Sequence, residues 1–332
     1  MPNSPSCCYV HIGIPRTGST AIEKFLYENR QILLDRGILY PEVNLRGYGH
    51  HDLAYLLSGG YPEWAIPQPR NLDDLAADLC HASAAHSGDI LISSENFYLF
   101  PAIVRLQELL TETGASSGRR VVIIVYVRRQ DEAQESWYSQ TVKAQGETCE
   151  IDESIDRWRY LWDYRARLAE WAAAFGVANL VVRPYETTQF RGGSLITDFL
   201  ACIGVDPTGM DLPTEKENAR LNTDLLEFQR LVNRLPLGSQ QKRRFHRELT
   251  ALSLRTSDSE LFAPGGLLGT AEKSEICRFY EAGNAEVALT YLGREALFLD
   301  EPAAAVSHSV GLSLEKLIYI ISWLMARGGQ GE

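Results

Sequence analysis

Positive charge is scarce in this sequence. Its 32 Lys and Arg residues face 43 Asp and Glu, and the net charge of −11 argues against nucleic acid or an anionic membrane as the main partner. Any anion it binds must be held by local groups, not by a general positive field. Cysteine is sparse as well: Cys7, Cys8, Cys80, Cys149, Cys202 and Cys277 are scattered without a CxxC pair. That pattern argues against a zinc knuckle or a disulfide framework and fits reduced thiols in a cytoplasmic protein. Long apolar runs are missing too, since nothing reaches the about 20 residues that a membrane-spanning helix needs. The opening "MPNSPSCCYVHIGI" lacks the basic stretch and apolar core of a secretory signal, so the expected location is cytoplasmic.

What is present is ordinary globular material. With 332 residues, 45% of them hydrophobic, the chain can bury a substantial core. Short β-branched runs alternate with helix-period segments through the first two thirds. The expected strands are "CYVHIGI" (8–14), "DILISS" (89–94), "RVVIIVYV" (120–127) and "NLVVRPY" (179–185). Between them, Ile22, Phe25, Leu26 and Leu33 mark one helical face. "NLDDLAADLCHASAA", "AIVRLQELLTETG" and "ESIDRWRYLWDYRARLAEWAAAFG" read as further helices, the last stopped by Gly176. Continuous apolar strands alternating with helices predict an α/β fold, a parallel sheet covered by helices on both faces. Ligands in such sheets sit beyond the carboxyl ends of the strands. Residues 1–204 are read as this core. A Pro/Gly-rich connector at 204–222 leads into 205–332, read as a helical extension or lid of the same domain.

The stretch "VHIGIPRTGST" (10–20) reads like a strand running into a phosphate-binding turn. Gly13 and Gly18 stand five apart, as in G-x-x-x-x-G-K-[ST], yet Ser19 holds the place of the lysine. Arg16 is the turn's cation, and Thr17, Ser19 and Thr20 add hydroxyls. Backbone N–H groups and the positive helix end can cradle an anion here. Metal–nucleotide chemistry would need the lysine and a strand-end aspartate, and neither is present. On the residues alone, a plain strand–helix turn stays open.

A second motif, "VYVRRQDEAQESWYSQ" (125–140), places Arg128 at a strand end and Ser136 eight residues on. An arginine and a hydroxyl there can make a second phosphate site. Pairing of Arg128 and Arg129 with Asp131, Glu132 or Glu135 is the alternative.

Together the motifs resemble the sulfotransferase superfamily that uses 3′-phosphoadenosine 5′-phosphosulfate (PAPS), with a P-loop-type fold. In that family a P-[KR]-[ST]-G-[ST]-[ST] loop holds the 5′-phosphosulfate, matched here by Pro15, Arg16, Thr17, Gly18, Ser19 and Thr20. The later arginine and serine bind the 3′-phosphate, which implies that role for Arg128 and Ser136. The "RPYE" segment (183–186) implicates Tyr185 near the adenine. The ensemble is most similar to bacterial members, with "GILYP" (37–41), "SSEN" (93–96) and "DFLACIGVD" (198–206) fitting too. The likeness covers roughly residues 8 to 206. Arg16 departs from the family's usual lysine; it stays charged but presents that charge as a planar fork.

The resemblance implies transfer of a sulfuryl group from PAPS, without a metal, to a hydroxyl or amine of a carbohydrate, lipid or secondary metabolite. Arg16 and the loop N–H groups would stabilise the charge that grows on the departing bisphosphate. For the base, Glu95 beyond its strand ranks ahead of His51, with His50 third; capping or surface roles are the alternatives for all three. A P-loop small-molecule kinase and a non-catalytic nucleotide-binding protein of this fold are the competing functions. A homo-oligomer is compatible with the sequence, which does not fix the acceptor.

Two segments tempt. "QQKRRFHRE" (240–248) reads as a solvated basic helix face. "LEKLIYIISWLM" (314–325) puts Leu314, Leu317, Ile318, Ile321, Leu324 and Met325 at helical spacing, the pattern of a terminal helix docked by that stripe.

Overall fold

The computed structural model describes residues 5–213, 221–256, 260–262, 266–301 and 311–328. Part of the expected connector, residues 214–220, lies outside them. The chain divides into two compact units. The first comprises Met1–Arg129, Asp163–Thr214 and Glu281–Asp300; the second comprises Gln130–Trp162, Glu215–Tyr280 and Glu301–Glu332.

The first unit is built on a five-stranded parallel sheet of order β2-β3-β1-β4-β5. Its strands are β1 (Cys7–His11), β2 (Ile38–Leu39), β3 (Asp89–Ser93), β4 (Arg120–Val127) and β5 (Leu180–Pro184). The four long strands fall where the apolar runs predict them. Strand β1 ends at His11, earlier than Ile14, because the chain turns away at Gly13, although Ile12 N–H still bonds the Ile124 carbonyl at 3.0 Å. Strand β2 was not among the expected strands: two residues are too short for any periodicity.

Alternation along β4 explains why these strands are apolar throughout. Val122, Ile124 and Tyr126 join Tyr9 and Leu91 on one face. There they meet Ile22, Phe25 and Leu26 of helix α1 (Ser19–Glu28), with Ile196, Phe199 and Leu200 of helix Leu195–Cys202. Ile123, Val125 and Val127 are fully buried at the other parity, and helix Tyr164–Phe175 packs on β4 and β5. Each such side chain contributes roughly 1.5–3 kcal/mol on burial. The sheet is covered on both faces, as predicted.

The long helix expected over "ESIDRWRYLWDYRARLAEWAAAFG" is not continuous. It is α-helical over Ile151–Trp158, tightens to a 3₁₀ turn at Arg159–Trp162 and restarts at Tyr164–Phe175. Asp163 forces the restart: its carboxylate accepts from the Ala166 N–H at 3.1 Å and caps a new helix. Gly176, at φ 87°, ends it as expected.

In the second unit, helix Leu314–Gly328 docks, but by only part of the predicted stripe. Ile320 is buried with Leu249, Leu252 and Phe262, and Trp323 and Leu324 pack beside it. Leu314, Ile318, Ile321 and Met325 are exposed. The helix is apolar over most of its circumference, so spacing alone does not select the docked face. Arg243, Arg244 and Arg247 lie exposed on helix Ser239–Arg255, as a solvated basic face should.

Candidate functional site

The parallel register brings the carboxyl ends of β3, β1, β4 and β5 to one sheet edge, with His11 paired to Ser93 and to Ile124. The glycine turn occupies the middle of that edge. Thr17 staples it: its N–H and hydroxyl both bond the Ile14 carbonyl, the hydroxyl at 2.6 Å. Gly18 takes φ +77°, and a Cβ added there would lie 2.3 Å from a Leu195 methyl and 3.2 Å from the Tyr185 ring. Arg16 also adopts a left-handed conformation, φ 69°, a strain of ~1–2 kcal/mol for a residue with a Cβ. Helix α1 starts at Ser19 with no acidic residue in its first turn and, among the described residues, no side-chain cap. Its first N–H groups therefore point at whatever fills the turn.

Arg128 follows β4 and is half-buried. Its backbone N–H and carbonyl both bond the Tyr164 hydroxyl, and its Nη1 donates to the Arg16 carbonyl at 3.1 Å. Its guanidinium stands 5.5 Å from the Tyr185 ring centroid. Tyr185 in turn is held to the sheet by its N–H on the Val127 carbonyl at 2.7 Å. Arg16, Arg128, Tyr185 and Gly18 thus converge. Arg129 turns elsewhere and donates to the Asp300 carbonyl. Glu186 is structural: its buried carboxylate accepts from the Leu299 and Asp300 N–H groups. Ser136, the other residue expected at a second phosphate, stands half-buried on helix Gln130–Gln140 of the second unit.

Glu95 lies directly against the turn. Ser19 Oγ donates to its Oε2 at 2.6 Å, and a Cβ at Gly13 would come within 3.2–3.3 Å of the Glu95 Cα and Cβ. His51 is mostly buried, and both its ring nitrogens are engaged. Nε2 lies 3.3 Å from Glu23 Oε2, and Nδ1 is 2.7 Å from Ser94 Oγ and 3.0 Å from Asn96 Nδ2. Burial works against a charged ring, but the Glu23 hydrogen bond and charge, with Glu95 and Asp52 nearby, outweigh it and hold His51 above its ordinary value. Burial likewise pushes the Glu23 carboxyl up, only partly offset by His51. In both groups the shift favours the protonated form. His50 is fully buried with both nitrogens on backbone groups of Pro41 and Ser93, and burial pulls it down to about 4.

Among the expected site residues, the first unit gathers Pro15, Arg16, Thr17, Gly18, Ser19, Thr20, Glu95, Arg128 and Tyr185 at one edge. Thr17 is fully buried and its hydroxyl is spent on the turn, whereas Thr20 is exposed. Sequence reasoning missed Glu23 and noted Ser93 and Asn96 only within "SSEN", without a role. Only one signal was available for Glu23: a carboxylate four residues after Ser19 shares its helix face.

No family model matches the chain. A protein of Archaeoglobus fulgidus described as uncharacterized is 29% identical over 155 residues. The match spans 46% of this chain and 41% of that relative, less than half its length. The crystal structure of a sulfotransferase from Alicyclobacillus acidocaldarius is similar over 69% of this chain and 94% of that one, with a TM-score of 0.43 and 14% identity. A likeness of that size fixes neither an activity nor a substrate.

Proposed function

We propose that the protein is a PAPS-dependent sulfotransferase acting on a hydroxyl or amine of a small-molecule or glycan acceptor. The observation that carries this reading is the convergence of two arginines and an aromatic ring on one glycine turn. Arg128 donates to the Arg16 carbonyl, and the Tyr185 ring lies against both Arg128 and Gly18.

The turn fits an anionic donor on its own terms. An uncapped helix start offers N–H donors, Gly18 leaves no Cβ in the way, and Arg16 supplies fixed charge. PAPS supplies, when bound, a sulfuryl group whose departure leaves charge on a bisphosphate. The residues divide the remaining work. Arg16 and the first N–H groups of α1 hold and stabilise the anion at the turn. Arg128 takes the 3′-phosphate, and Tyr185 offers its ring to the adenine. Glu95, already beside the turn, accepts the acceptor's proton. His51 and Glu23 are bonded to each other.

Incubation with sulfur-labelled PAPS and a panel of alcohols, amines and oligosaccharides tests the reading. Label should appear on an acceptor without added magnesium. Phosphate transfer from magnesium-ATP to the same panel, with no sulfuryl transfer, would contradict it.

A further inference from the structure

A carboxylate buried beside an anion cradle calls for an explanation. Glu23 is 2% exposed, one helical turn after Ser19 on the same face of α1. Ser19 reaches Glu95, and Glu23 reaches His51. The rest of the Glu23 carboxylate is also occupied: Ser93 Oγ donates to Oε1 at 3.3 Å, and Ser93 is bonded in turn to His11 Nδ1 at 2.7 Å. Gly49 makes room for the group. A Cβ there would lie 2.7–2.9 Å from all three carboxyl atoms, although Gly49 does not have a left-handed φ that would itself demand glycine.

The far side of His51 shows what this holds. Its Nδ1 meets Ser94 Oγ and Asn96 Nδ2, the residues immediately before and after Glu95. The Ser94 hydroxyl also accepts the Asn96 N–H at 3.1 Å, and Asn96 Nδ2 donates to the Tyr55 hydroxyl at 3.0 Å. One imidazole therefore clamps both flanks of Glu95. We propose that Glu23 is a positioning residue of this site: it fixes His51, and through His51 the two neighbours of Glu95, so that Glu95 stays over the glycine turn. The role for Glu95 rests on the sulfotransferase reading above, while the clamp itself does not.

The clamp is tested first without turnover. Around the His51 ring, the titratable groups are Glu23, Glu95, Asp52 and His50. In Glu23→Gln, NMR titration should show the His51 ring losing its proton at lower pH than in the native protein. Gly49→Ala should move it in the same direction, because the added methyl displaces the carboxylate. Amide hydrogen exchange should accelerate at Ser94–Asn96 in both variants while the β4 amides are unchanged. A uniform acceleration would mean general destabilisation and would overturn the proposal, as would an unmoved His51 titration.

Turnover then tests the consequence. Glu23→Gln should lower kcat by ~10–100-fold, the scale of a misplaced reacting group. Affinity for adenosine 3′,5′-bisphosphate should stay within about twofold, since the turn is untouched. Added to Glu95→Gln, the change should cost little further. Full additivity would overturn it. If no acceptor is sulfated at all, the sulfotransferase reading fails, and the titration and exchange results still decide the clamp.

Discussion

Arg128 reaches from the end of β4 to the glycine turn and donates from Nη1 to the carbonyl of Arg16 at 3.1 Å. The bond ties a strand-end cation to the backbone of a residue that itself holds a strained conformation. If Arg128 holds a donor phosphate as proposed, Arg128→Ala removes one charge-assisted contact of ~1.5–3 kcal/mol, so bisphosphate affinity should fall about 10- to 150-fold. Turnover at saturating donor should change little. Calorimetry and a donor saturation curve separate the two effects; an unchanged dissociation constant would remove Arg128 from the donor site.

Arg16 should behave in the opposite way. On the proposed reading its charge is needed most as the bisphosphate departs, so Arg16→Ala should lower kcat more than it raises the donor KM. Arg16→Lys keeps a cation but loses the fork and should restore part of the rate. A change confined to KM would contradict the assigned role.

The turn is intolerant of side chains at Gly18. With φ +77° and a Leu195 methyl 2.3 Å from the new Cβ, Gly18→Ala should destabilise the fold by ~1–3 kcal/mol. Adding Leu195→Ala relieves the clash but not the backbone strain, at the cost of a cavity. Denaturant melts of the two single variants and the double variant should therefore be non-additive. Simple addition of the two losses would show that the clash is absent.

Two buried histidines give stability a definite pH slope. Burial holds His11 down at about 3 and His50 at about 4, against 6.5 for an ordinary histidine. Between pH 6.5 and about 4 the unfolded chain binds protons that these two rings in the folded state do not. Their contribution is thus fully present above pH 6.5 and is lost progressively as pH falls toward their folded values. His51 runs the other way, its contribution present at low pH and lost as pH rises through its raised value. Denaturant midpoints between pH 7 and 4 should fall, and His11→Gln should flatten the decline. A slope unchanged by that substitution would mean that His11 is charged when folded.

The four long strands were legible because burial on both faces demands unbroken apolar runs, and the glycine turn because only a few residue types make one. What escaped depends on partners remote in sequence. The burial of Glu23 depends on Gly49, His51 and Ser93, which close around it from distant parts of the chain. His50 and His51 are adjacent in sequence, yet one bonds backbone and the other bonds side chains, a distinction set by their position at the start of helix His51–Leu57. The restart at Asp163 was hidden because the apolar period continues through it.

Glu95→Gln keeps the shape of the side chain and removes the proposed proton acceptor. It should retain the bond from Ser19 and bind bisphosphate normally, while turnover falls at least about 100-fold. Near-normal turnover would shift the base to another group.

The most direct measurement is calorimetric binding of adenosine 3′,5′-bisphosphate, 5′-AMP and ATP, each with magnesium and with a chelator. The turn has Ser19 where a nucleotide-triphosphate loop needs lysine, and it has Arg128 beside it. The bisphosphate should bind tightest of the three, with the same affinity in chelator, and 5′-AMP should lose at least the ~1.5–3 kcal/mol of a second phosphate contact. ATP binding that equals or exceeds it only when magnesium is present would contradict the account.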